Sequence, residues 1–182
     1  MNNKFLKIAT FIFVSLGLIV AIPWLSELFN TKKPNPMDKT SVNLAQFSQK
    51  TVSKISIKKG DNEKVLAFSN NKWLIGNDEA DENKIKQLFQ DLADLKVKEM
   101  VSENQDNWGK FEVTPESGLR LTLTQDGKEQ VFFVGKAGTA SGDFYLRKEG
   151  IKNVYLVNGN LRDKLEWDAS KWKKTNQNEE KK

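Results

Sequence analysis

Three short stretches bring together residue types that can do chemistry. Ser56-Ile57-Lys58-Lys59 fits a Ser-x-x-Lys pattern, in which a lysine amine assists a serine nucleophile. Asp78-Glu79-Ala80-Asp81-Glu82 gathers carboxylates as a calcium loop does, and Gly135-Lys136-Ala137-Gly138-Thr139 carries the glycines and lysine of a phosphate cradle. None meets the geometry its chemistry needs. Ser56 reads as a strand residue, where position i+3 points to the opposite face. A calcium loop needs alternating ligands, a central Gly and a distal bidentate Glu, and the sixth residue here is Asn83. The acidic run suits the positive end of a helix dipole instead. A phosphate loop must open a helix, whereas a strand follows Thr139.

What is missing narrows the chemistry further. The chain has no cysteine and no histidine, which removes disulfides, thiolate nucleophiles, the lipid-attachment cysteine of a lipoprotein and the commonest acid–base group and metal ligand. No cofactor and no metal ligand set is expected. Among 24 acidic residues no spacing singles out a catalytic carboxylate pair. The net charge of +5 is uneven: +4 over residues 1–50, −2 over 51–169 and +3 over 170–182. A nucleic-acid reader concentrates basic charge on its folded face, so no nucleic-acid partner is expected.

The elements that hold these residues begin with an apolar run. Ile8 to Ser26 is uncharged for 19 residues, long enough at about 1.5 Å per residue to cross a bilayer core as one helix. Pro23 and Trp24 fall near its outer end, where a lost hydrogen bond costs least and an amphipathic ring favours the interface. A cleaved signal peptide is the competing reading, with Lys4 and Lys7 as its positive region. Bulky residues around Ala21 leave no clean small-x-small cleavage site. The expected organisation is a cytosolic stub and transmembrane anchor over 1–29, with the lipid bilayer as partner through residues 8–28. A linker over 30–51, a soluble domain over 52–170 and a disordered polar tail over 171–182 follow.

The soluble part reads as α+β, a β-meander/helix/β-meander domain with mainly antiparallel sheet. Ile55 and Ile57 alternate with polar residues, and Val65, Leu66, Phe68 and Trp73-Leu74-Ile75 continue the meander across turns at Gly60-Asp61-Asn62 and Asn70-Asn71. A helix runs from about Asp81 to Leu95, with Ile85, Leu88, Phe89, Leu92 and Leu95 as its stripe and Asp81 as its cap. Val97 to Val101 returns to the sheet. Leu119, Leu121 and Leu123 open a second meander, with Asp126-Gly127 as a hairpin turn, a loop over Gly135 to Gly142, and strands at Phe144–Arg147 and Asn153–Val157. Asn160 is placed as the cap of a short helix at Leu161–Leu165, and the order hints at an internal repeat. The aromatic residues are read mainly as packing. Trp167 and Trp172, beside Lys171, Lys173 and Lys174, are the candidate interaction surface for headgroups or a membrane protein partner.

The series Ile55-Ser56-Ile57, Trp73, Leu88/Leu92/Leu95-Lys96, Leu119-Arg120-Leu121, Val134-Gly135-Lys136, Phe144-Tyr145-Leu146-Arg147 and Val154-Tyr155-Leu156-Val157 resembles the bacterial domain of unknown function family 4340 over about residues 52 to 170. Phe111-Glu112-Val113 departs from it, with Glu where the pattern has a Gly able to take positive φ. The resemblance implies an extracytoplasmic accessory or binding module, found membrane-anchored and in company with gliding-type ABC-transporter auxiliary proteins. It carries no active-site residues. The expected location is the bacterial cytoplasmic membrane, single-pass, with the domain outside. Two other roles stay open: a carboxylate-dependent envelope enzyme acting on sugar or peptide, and a purely structural spacer.

If the Ile8–Ser26 run is an uncleaved anchor, the full chain will stay in the membrane pellet after alkaline carbonate washing and leave it only in detergent. A mature chain recovered from a soluble envelope fraction, starting beyond Trp24, overturns the tether.

Overall fold

Strand period and turn chemistry account for most of the elements in the computed structural model, which describes residues 42–166 and 168–175. Ile55 and Ile57 are buried on one face of β1 (Val52–Lys59), while Lys54 and Lys58 face solvent. β2 (Asn62–Ser69) pairs back on β1, and β3 (Lys72–Ile75) follows through Asn70 and Asn71, both at positive φ as a primed hairpin turn requires. β4 (Asp78–Glu79) closes this half. Helix α1 (Glu82–Ala93) buries Ile85, Leu88, Phe89 and Leu92, and the Asp81 side chain accepts from the Asn83 and Lys84 amides as its cap. β5 (Lys96–Ser102) and the short helix α2 (Trp108–Phe111) lead to the second meander. That meander is β6 (Leu119–Gln125), β7 (Lys128–Ala137), β8 (Asp143–Lys148) and β9 (Val154–Asn158), ending in the short helices α3 (Leu161–Leu165) and α4 (Ala169–Trp172).

The nine strands among the described residues make one antiparallel sheet in the order β4-β3-β2-β1-β6-β7-β8-β9-β5, so the domain is α+β. The order has an internal two-fold. β1 and β6 lie side by side at its centre, and Lys59↔Asn62 closes the first hairpin as Gln125↔Lys128 closes the second. Each half then leaves through a helix and adds its next extended segment to the other half. β5, after α1, pairs outside β9, and Lys173, after α4, bridges Ala80 just past β4. The repeat hinted at by the order of elements is therefore present in the topology, with its last segments exchanged.

The main core lies between the inner sheet face and the helices, and the ion pair of buried Asp91 on α1 with Lys164 on α3 ties two helices together. A second apolar cluster lies on the other face, where Phe111 and Val113 cover Val131, Phe133 and Val154. Gly135 permits that cover: a Cβ there would lie 2.2 Å from the Phe111 carbonyl oxygen.

Several boundaries shift. The anchor over 1–29, residues 30–41 of the linker, Trp167 and residues 176–182 lie outside the described residues; among the described ones no helix is long and apolar enough to cross a membrane. The end of the expected linker, from Val42, belongs to the domain, with Val42, Leu44 and Phe47 in the main core and Phe47 edge-on to Phe132 at 6.0 Å. The start of the expected tail also belongs to it, through Lys174, whose amide donates to the Glu79 carbonyl. Asp78-Glu79 forms strand rather than helix cap, because its backbone completes the β3 ladder. The 135–142 loop shortens as β7 runs to Ala137 with an irregularity after Val134, and Asn160 makes no side-chain cap bond. Helix α2 carried no periodic signal over its four residues.

Glu112 takes φ 57, ψ 39 at the end of α2, the left-handed geometry that a glycine adopts freely. Glu112→Gly will raise the unfolding free energy by about 1 kcal/mol, read from urea denaturation midpoints. An unchanged or lower midpoint would show that the turn is not strained.

Candidate functional site

The sheet edge built by β3, β4 and the start of α1 carries the most distinctive surface chemistry among the described residues. Phe68 follows Leu66 on the inner face of β2 but lies outward of it, and is 44% exposed where the other large apolar side chains are covered. Its ring lies 5.7 Å from that of Trp73, which in turn lies 5.8 Å from Phe89 of α1. Trp73 is buried, and its indole N–H has no acceptor among the described residues. Beside the pair is a concavity of about 50 Å³ walled by Gln49, Asn71, Lys72, Glu79 and Glu82.

Charge organises the rim of this concavity. Glu79 accepts from Lys174 Nζ at 2.8 Å and from Lys72 Nζ at 2.9 Å, and these two partners hold its carboxyl down at about 2. Asp78 pairs with Lys173 at 2.6 Å. The Trp172 carbonyl accepts from the Asp81 amide at 2.8 Å, so the C-terminal segment lies along the β4 side.

Two other polar clusters serve the frame. Arg147 is buried with its guanidinium between the rings of Trp108 (3.6 Å) and Phe133 (4.4 Å), and its Nε donates to the Val113 carbonyl at 2.9 Å. Burial lowers its pKa from the ordinary guanidinium value, and the charge of Glu149 opposes this. Its stacking and carbonyl bonds fasten the 108–113 cover to the sheet. Asp143, also buried, is bonded by Lys98 Nζ at 2.8 Å and Asn158 Nδ2 at 2.7 Å. Those bonds keep it below the usual carboxylate range and join β5, β8 and β9. A second concavity, about 30 Å³, lies between Glu112, Ser117, Lys59 and Arg162, where Glu166 pairs with Lys59 at 3.3 Å and with Arg162 at 3.1 Å.

The motif residues separate as their strand positions imply. Ser56 donates to Glu63 at 2.5 Å on one face, while Lys59 reaches Glu166 beyond α3. Lys136 lies in β7 rather than at a helix start. Among the described residues no group of three or more acidic side chains is placed to hold a metal ion. Of the expected interaction surface, Lys171 is exposed on α4, and Trp167 lies outside the described residues. Trp172 corrects that reading: it is 0% exposed in the main core, because the chain after α3 folds back over the β4 side and buries the indole. Phe68 and Trp73 were legible as strand residues. Their place at an open rim depends on where α1 stops covering the sheet.

Residues 73–179 match the family described as Domain of unknown function (DUF4340). No curated protein and no solved structure matches the chain.

Because the Glu79 carboxyl sits below its ordinary value of 4.5, the stabilisation it brings is fully present above pH 4.5 and is lost as pH falls through about 2. The stability advantage of the native chain over Glu79→Gln will be constant at neutral pH, shrink below 4.5 and vanish near pH 2, read from urea midpoints at each pH. An advantage independent of pH down to 2 would mean that Lys174 and Lys72 do not grip the carboxylate.

Proposed function

The chain belongs to the family described as Domain of unknown function (DUF4340), and from that footing we propose that it is a membrane-anchored, extracytoplasmic accessory module. In this reading it binds a membrane protein partner in an ABC-type transporter or related envelope complex and does no bond chemistry itself. The uncharged run Ile8–Ser26 supports the anchor, and the Pro-containing stretch after it supports a spacer.

The observation that carries the binding role is Phe68. A large apolar ring left 44% exposed beside a buried Trp, rimmed by charged side chains, has the make-up of an interface anchor. Covering the rest of that ring contributes roughly 1 kcal/mol from area alone. The paired charges of Lys72, Glu79 and Lys174 around it act on orientation and encounter rate more than on affinity.

A pull-down of the full chain from detergent-solubilised membranes will return a membrane protein reproducibly, and Phe68→Glu will lose it while keeping the native unfolding midpoint. No reproducible partner with the native chain, or full retention by Phe68→Glu, would remove this surface from the proposal.

A further inference from the structure

The segment after α3 is held by the opposite half of the sheet rather than by its own neighbours. Trp172 is fully buried, and the Asp81 amide bonds its carbonyl. Lys173 sits opposite Ala80, and the Lys174 amide bonds the Glu79 carbonyl. Two lysines meet two acids: Lys173 with Asp78 and Lys174 with Glu79. Position, aromatic anchor and charge together make residues 169–174 a donor segment and the β4 edge its acceptor groove. The same exchange occurs at the far end of the sheet, where β5 leaves its own half to pair with β9.

We propose that this segment also docks in trans, onto the β4 edge of a second copy of this chain, giving a two-fold dimer by exchange of residues 169–174. The groove fits that occupant because it is already filled by the identical segment: the same indole socket, the same two backbone bonds and the same lysine-to-acid complementarity serve either copy. Only residues 166–168 link α3 to the segment, so the choice between cis and trans rests on that short connection and on protein concentration. This inference concerns a second copy rather than a membrane partner; it shares Glu79 and Lys174 with the rim beside Phe68, and its crosslinking readout is independent of the Phe68→Glu pull-down.

The native chain has no cysteine, which makes a crosslinking test clean. Ala80 and Lys173 form a non-hydrogen-bonded antiparallel pair, the arrangement with Cα atoms about 4.5 Å apart that a disulfide spans. Full-length Ala80→Cys and Lys173→Cys chains are mixed in one detergent, held in urea below the unfolding transition, returned to buffer and oxidised. Exchange in trans yields a disulfide-linked dimer with one chain of each variant, several-fold above the dimer formed by either variant alone. The double variant checks the register, because its cysteines must close whichever copy donates the segment. Closure of the double variant within single chains, with no excess dimer in the mixture, overturns the proposal. Failure of the double variant to close at all overturns it too, by removing the pairing on which it rests.

Discussion

The pairing of β1 with β6 is the constraint on which the rest of the domain depends. Ile55 lies opposite Leu123 and Ile57 opposite Leu121, so two hairpins from distant parts of the chain present one continuous apolar face. A slip of one residue at that seam would send every one of these side chains to the other face, so burial of the core and register of the seam enforce each other. Helix α1 can then cover both halves. Its stripe of Ile85, Leu88 and Leu92 is fully buried in the same cluster as Leu121 and Leu123.

A sheet of nine strands has two edges, and each is managed differently. β5 carries Lys96, Lys98 and Glu99 exposed and has two register shifts in its pairing with β9, features that discourage further strand addition. The β4 edge is instead covered by the C-terminal segment, where Lys173 and Lys174 meet Asp78 and Glu79. Exposed ion pairs of this kind add little stability singly, and the burial of Trp172 is the larger contribution. The charges set which segment fits and in which direction.

The outer face of the sheet is divided. Over β7 to β9 the segment containing α2 is fastened by Arg147, whose charge is buried against two aromatic faces and backbone carbonyls instead of a carboxylate. That arrangement satisfies a cation without adding a second charge that would also need desolvation. The tight approach of the Phe111 carbonyl to Gly135 and the left-handed Glu112 are local costs of bringing this cover down. On the inner face the edge near Phe68 is left partly open, because α1 begins only at Glu82.

Much of the fold was legible in the residues themselves. Alternation at Ile55/Ile57 and at Leu119/Leu121/Leu123, with short apolar runs between turns, located most of the strands; Asn70-Asn71 and Asp126-Gly127 marked primed turns by their tolerance of positive φ, and the spacing from Ile85 to Leu92 with Asp81 before it marked the helix and its cap. These are local signals, set by alternation, turn chemistry and capping within a few residues. The sequence by itself determined strand, helix and turn, the absence of thiol and imidazole chemistry, and an uncharged N-terminal run long enough to span a bilayer. Tertiary structure alone decided that the halves exchange their last segments, that Trp172 is core while Phe68 is surface, and that Val42 to Phe47 and the lysines after Trp172 join the domain. Burial of a given aromatic depends on what the distant chain lays over it, and no spacing within one segment encodes the position of another.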